Sequence, residues 1–259
     1  MTPSCSWLRH RPIAHRGLHG GSPAAPENSL EAITRAAASG YAVEIDVQLL
    51  SDRQLVVFHD LSLERMTGHA RRACDCTAND VRRMRLGGGG HSIPLLADVL
   101  ETIGGRVPLL IEVKNPSRRN RDPERALAAI LAEYAGPVAV QSFNPFSLQW
   151  FRRRMPDIPR GQLSSDFKGD RGYAAPVGRH LKLAARHLLI CCVSKPTFIA
   201  YDARCLPAWA PGRKRRAGLP LLAWTVRSER EMDQALEHCD NVIFEGFRPD
   251  PAGRALVTG

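Results

Sequence analysis

The chain has 259 residues, 44% of them apolar and 24% charged, with a formal net charge of +10. That apolar fraction supports a substantial core and excludes a disordered chain. No run approaches the roughly 18 apolar residues of a membrane span, so stable membrane insertion is not expected.

Barrels of about 250 residues fold as one unit, and a single domain over residues 1–259 is expected. The N-terminal "MTPSCSWLRHRPIAHRG" lacks the apolar stretch of a secretory signal. The seven cysteines, Cys5, Cys74, Cys76, Cys191, Cys192, Cys205 and Cys239, form an odd set without framework spacing. They read as reduced thiols in a cytoplasmic protein. A soft-metal site at Cys74 and Cys76 would need a second Cys/His pair at zinc spacing, and none follows. The positive charge occurs in separate clusters (Arg82-Arg83, Arg118-Arg119, Arg152–Arg154, Arg213–Arg216) without interleaved aromatics. That pattern argues for solvated faces and against a nucleic-acid partner, though a basic surface also suits anionic substrates.

Eight β-rich runs follow one another in chain order: "RPIAHRG", "YAVEIDV", "VPLLIEVK", "PVAVQSF", "IPRGQL", "HLLICCV", "LPLLAWTV" and "NVIFEGF". Helices are expected between them. Asn28 with Glu31 and Ser228 with Glu231 are capping-box patterns. Asp122-Pro123 and Asn144-Pro145 each offer a cap followed by proline. Leu127, Ile130, Leu131 and Tyr134 share one helical face. Eight β/α units predict an α/β fold of (βα)8 TIM-barrel type. A doubly wound sheet is the alternative, but no G-x-G-x-x-G follows the first strand. Residues 61–93 break the alternation and read as a small insertion after a second-strand hairpin, ending in a mobile glycine run, Gly87–Gly90.

In such a barrel the chemistry collects at the C-terminal ends of strands. His15 and Arg16 end the first run. Glu44 and Asp46 lie two apart on the second and share a face; Glu112 and Lys114 repeat that spacing on the third. A turn near Ser51–Gln54 pairs Leu50 with Leu55 and sets His59 opposite Asp46. Three carboxylates converging there either hold a hard divalent ion, Mg²⁺ or Ca²⁺, or form an ion-pair network balanced by Lys114 and Arg16. His15 and His59 are ordinary hydrogen-bonded histidines or an acid/base pair.

The ordered set "IAHRG", "PENSLEAITRAAASGY", "VEIDVQLLSDRQLVVFHD", "LLIEVK" and "LLAWTV" resembles the glycerophosphodiester phosphodiesterases, from about Ile13 to Pro249. The resemblance implies a TIM barrel with an early insertion. It also implies metal-dependent hydrolysis of glycerophosphodiesters to sn-glycerol 3-phosphate and an alcohol. By position, Glu44, Asp46 and Glu112 match the metal ligands, and His15 and His59 the general acid and base. Arg16 and Lys114 match phosphate-holding cations. Glu27 reads as a contact to glycerol or the metal shell, or as part of the capping geometry. Phe143 and Trp224 match pocket-lining positions or pack in the core. Glu245 stands near the aspartate of the family's usual closing motif. Two rival functions are a phospholipase D-like lysophospholipid or sphingolipid hydrolase on the same barrel, and a non-catalytic basic binding module. No motif assigns an oligomeric state.

Overall fold

The computed structural model describes residues 6–20, 24–168 and 178–252; Cys5 lies outside them. Its strands are β1 Ile13–Ala14, β2 Ala42–Leu49, β3 Leu55–Val57, β4 Leu109–Val113, β5 Val138–Ser142, β6 Arg160–Ser164, β7 Phe198–Asp202, β8 Leu221–Val226 and β9 Asn241–Phe244. The α-helices are α1 Trp7–His10, α2 Leu30–Ala38, α3 Glu64–Thr67, α4 Ala78–Arg83, α5 Leu96–Ile103, α6 Asp122–Leu131, α7 Pro145–Arg154, α8 Arg179–Arg186, α9 Cys191–Ser194, α10 Trp209–Arg216 and α11 Glu229–Leu236. The hydrogen-bonded order is β1-β9-β8-β7-β6-β5-β4-β2, with β1 also paired to β2 and β3 added on β2 as a hairpin. Eight parallel strands with helices between them form the expected (βα)8 barrel.

Two compact units divide the chain, residues 14–138 and residues 1–13 with 139–259. In the first, β2 runs parallel to β4, with Asp46 beside Glu112. Seven of the eight β2 residues are buried, as expected for a strand covered on both faces. Helix α5 buries Leu96, Val99, Leu100 and Ile103, the i, i+3, i+4, i+7 stripe of a core-facing helix. Residues 61–93 turn back on the β2–β3 hairpin and build a small core of their own. In it Leu63, Ala73, Cys76, Val81, Leu86 and Ile93 pack with Leu50, Val56 and Phe58. Cys76 is therefore a buried core thiol, while Cys74 is exposed. The glycine run opens in a short 3₁₀ turn, Leu86–Gly88.

Three local expectations are corrected here. The β2–β3 register pairs Val47 with Val57 and Leu49 with Leu55, one residue away from the expected alignment. Phe58, not His59, lies across from Asp46 and donates its N–H to the Asp46 carbonyl at 2.9 Å. Helix α2 is capped by Ser29, whose hydroxyl accepts from Ala32 N–H, one residue after the expected Asn28. Helix α6 begins at Asp122 after Arg121, which makes no side-chain cap, with Pro123 in its first turn.

The second unit holds β5–β9 as successive parallel neighbours. Asn144 caps α7 and Ser228 caps α11, as their patterns predicted. The Glu231 carboxylate, however, accepts from Arg227 N–H at 2.7 Å. The expected strand "HLLICCV" is a turn leading into α9. Leu188 and Cys191 are buried while Leu189 and Cys192 are exposed, a helical period that a short apolar run does not distinguish from a strand. The sixth parallel strand of the order is completed instead by Phe198–Asp202, buried throughout.

Candidate active site

The tight turn after β1 is the first element of the site. Arg16 and Gly17 both have positive φ, 54° and 82°, and a Cβ on Gly17 would sit 2.7 Å from the Ala32 carbonyl carbon. Glycine is required there by both conformation and space. The turn aims Arg16 at the β2 carboxylates: its N–H donates to Glu44 Oε2 at 3.1 Å, and Nε lies 3.3 Å from Asp46 Oδ2. Asn28, also at positive φ (59°), donates its amide to Asp46 Oδ2 at 3.0 Å. Its own backbone N–H is held by the Arg16 carbonyl at 2.9 Å. Sequence reasoning took Asn28 for a helix cap; its left-handed backbone instead turns the side chain onto a site carboxylate.

Glu44, Asp46 and Glu112 are buried, and one carboxylate oxygen of each falls within 4.8 Å of the others. The β2–β4 register produces this convergence, because Asp46 and Glu112 are lateral partners and Glu44 is two residues back on the same face. Lys114 closes the group, with Nζ 3.1 Å from Asp46 Oδ1 and 2.8 Å from Glu112 Oε1. Burial and the charges of Asp46 and Glu112 raise the Glu44 pKa well above the carboxylate range. Burial also acts to raise Asp46, but Lys114, His59, Arg16 and His15 outweigh it and hold Asp46 well below that range. The Lys114 ammonium, disfavoured by burial, is pushed up to about 12 by Asp46 and Glu112.

This donor set fits a hard divalent cation. Three carboxylates against Lys114 and Arg16 leave one negative charge, and Glu44 carries the cost. Asp46 Oδ1, buried, has the Lys114 ammonium nearby but no hydrogen bond of good geometry among the described residues. An added dication would relieve both and attract a phosphodiester anion.

His59 is set by three neighbours that spacing did not reveal. Its Nδ1 lies 2.6 Å from Asp60 Oδ1. Gln48, third polar residue on the Glu44–Asp46 face of β2, donates its amide to the Phe58 and Asp60 carbonyls, both at 2.8 Å. Arg65, delivered by α3 of the insertion, lies with Nε 2.5 Å from Asp60 Oδ2 and Nη2 2.6 Å from Glu27 Oε1. Glu27 then returns to Arg16 Nη1 at 2.8 Å. Burial works to raise Glu27 and Asp60, yet Arg65 with Arg16 or His59 holds each below its ordinary pKa. Glu27 is thus occupied between two guanidinium groups. The chain Arg16–Glu27–Arg65–Asp60–His59 links the residue following His15 to the second histidine.

Phe143 and Trp224 belong to the other unit, where their rings meet edge to face at 5.8 Å. Trp224 Nε1 has no hydrogen-bond partner among the described residues. Glu245 lies 3.6 Å from Arg227.

Comparison with known proteins shows the family. The chain is 31% identical over 238 residues to YhdW of Bacillus subtilis (strain 168), covering 84% of this chain and 86% of that protein. It is 29% identical over 235 residues to the glycerophosphodiester phosphodiesterase of Caldanaerobacter subterraneus subsp. tengcongensis, covering 87% and 89%. A solved phosphodiesterase of Oleispira antarctica, in complex with the product sn-glycerol-3-phosphate, shares the fold. Its TM-score is 0.73 at 23% identity, with 93% of each chain covered. Family matching spans residues 15–244, which takes in every residue of the carboxylate cluster and both histidines. The chain belongs to the glycerophosphoryl diester phosphodiesterase family and is a phosphoric diester hydrolase acting on glycerophosphodiesters.

Proposed function

We propose that hydrolysis to sn-glycerol 3-phosphate and an alcohol is metal-dependent, with His15 and His59 as the general acid/base pair. The observation that carries this reading is the convergence of Glu44, Asp46 and Glu112 within 4.8 Å in one unit with a histidine oriented by a carboxylate at 2.6 Å. Glu44, Asp46 and Glu112 would hold Mg²⁺ or Ca²⁺. The bound ion would stabilise charge growing on the non-bridging phosphate oxygens.

In-line displacement at phosphorus needs one proton removed from the nucleophile and one delivered to the leaving alkoxide. With Nδ1–H donated to Asp60, His59 presents Nε2 for one of these transfers, and His15 serves the other. Arg16 and Lys114 supply fixed positive charge to the phosphate. By resemblance Phe143 and Trp224 are substrate-binding residues, and Glu27 acts by holding Arg16 and Arg65. The family resemblance implies attack by the adjacent glycerol hydroxyl, through a cyclic phosphate that water opens, with direct attack by water as the alternative route. Free thiols at the exposed Cys74 and Cys192 suit a reducing, cytoplasmic setting. Among the described residues no helix is long and apolar enough to cross a membrane.

The test is release of glycerol 3-phosphate from glycerophosphocholine and glycerophosphoethanolamine, with EDTA and then with Mg²⁺ or Ca²⁺ restored. Activity that EDTA abolishes, metal restores and His59→Ala removes supports the reading. Full activity in EDTA, or in the His59→Ala protein, overturns it.

A further inference from the structure

Charge and exposed apolar surface coincide in one stretch of the second unit. From residue 178 to 228 the chain carries ten Lys and Arg and a single acid, Asp202, and that acid is fully buried and paired with Arg204. Nearly all of the net charge of +10 therefore lies here. The same stretch holds the large exposed apolar side chains of the described residues: Leu181 (40%), Leu183 (55%), Leu189 (62%) and Trp209 (68%).

These side chains stand on neighbouring elements. Helix α8 buries Ala185 and leaves Leu183 outward, between Lys182 and Arg186. The Arg186 carbonyl accepts from Tyr201 on β7 at 3.1 Å, and α10 packs on β7 and β8. Helix α10 and the C-terminal end of α8, three residues before Leu189, therefore both meet β7. On α10 the Arg213 guanidinium lies 5.1 Å from the Trp209 ring centroid.

A soluble surface normally scatters its exposed apolar residues. Leucines and a tryptophan set in a stretch where cations far outnumber acids match the demands of an anionic bilayer surface. Apolar side chains enter the headgroup boundary, the indole sits at headgroup level, and Lys and Arg meet lipid phosphates. A nucleic-acid site would use the cations but gains nothing from exposed leucines.

We propose that the face formed by α8, the Leu189 turn and α10 docks this enzyme reversibly on anionic phospholipid surfaces. Docking holds it where deacylation of phospholipids generates water-soluble glycerophosphodiesters. This inference stands on surface residues alone and is independent of the acid/base and metal assignments.

The test is co-sedimentation of the full chain with vesicles of phosphatidylglycerol and phosphatidylcholine in equal parts, against phosphatidylcholine alone. Two variants accompany it: Leu183→Ser/Leu189→Ser/Trp209→Ser, and Lys182→Glu/Arg186→Glu. Unchanged urea midpoints establish that both variants fold, and release of glycerol 3-phosphate from soluble glycerophosphocholine is expected to be unchanged. The expected result is binding to the anionic vesicles at least about tenfold above the neutral ones, weakened by salt, and about tenfold weaker in each variant. Absence of binding, or equal binding to neutral vesicles, overturns the proposal. Retention by the serine variant also overturns it, and duplex DNA bound with equal strength would then mark a general polyanion surface.

Discussion

His59 Nδ1 and Asp60 Oδ1 stand 2.6 Å apart, so adjacent residues form a dyad that neither β-strand pairing nor motif spacing would place. The carboxylate selects the tautomer and fixes the orientation of the imidazole. Asp60→Asn is expected to lower kcat by about 10- to 100-fold, with KM changing less than threefold. An unchanged kcat would reduce Asp60 to a structural residue.

Arg65 binds Asp60 and Glu27 with separate faces of one guanidinium. Lysine retains the charge but lacks that fork. Arg65→Lys should therefore recover only part of the roughly tenfold kcat loss expected for Arg65→Met. The comparison is made at saturating substrate, and full wild-type activity in the lysine variant would refute a geometric role.

The carboxylate cluster makes a prediction with a sign change. Without a divalent ion Glu44 is repelled by Asp46 and Glu112, so Glu44→Gln should leave stability in EDTA unchanged or raise it by about 1 kcal/mol at neutral pH. With Mg²⁺ or Ca²⁺ in excess the order reverses, since wild type gains about 2.7 kcal/mol at a hundredfold excess of ion over Kd. Urea midpoints in the two buffers decide it. A variant that gains as much as wild type from the ion would remove Glu44 from the ligand set.

Buried thiols set an alkaline limit. Burial pushes Cys239 up to about 12 and Cys191 up to about 11. In each case the folded pKa lies above the unfolded value, so this stability is complete below about pH 9 and is lost as pH rises toward 11–12. At pH 10.5 the Cys239 contribution to that loss is about 2 kcal/mol. Cys239→Ala should therefore show a smaller fall in urea midpoint between pH 7.5 and 10.5 than wild type, whatever its midpoint at neutral pH.

Gly17→Ala tests the first turn. With φ at 82° and a Cβ 2.7 Å from the Ala32 backbone, alanine should cost about 2–4 kcal/mol or displace α2 and the adjoining Arg16. The readouts are thermal stability and KM for glycerophosphocholine, and wild-type values for both would exclude a steric requirement.

The barrel and the polar set on it were legible because they rest on periodicity. A two-residue spacing puts Glu44 with Asp46 on one strand face, and repetition of β-rich runs with cap signals predicts alternating strands and helices. Those signals are local, and they survive without tertiary knowledge. The failures are equally local in origin. Leu188–Val193 is too short and too uniformly apolar for its period to separate strand from helix, so packing decided that Phe198–Asp202 is the strand. The hairpin register moved by one residue because the chain between Leu49 and Leu55 sets the alignment of β2 and β3. Asn28, Gln48, Asp60 and Arg65 were invisible as site residues because each also suits a cap, a strand, a turn or a solvated helix. Only the three-dimensional fold brings a residue of the insertion against a β3-end carboxylate, since side chains distant in sequence become partners through backbone geometry that no spacing encodes.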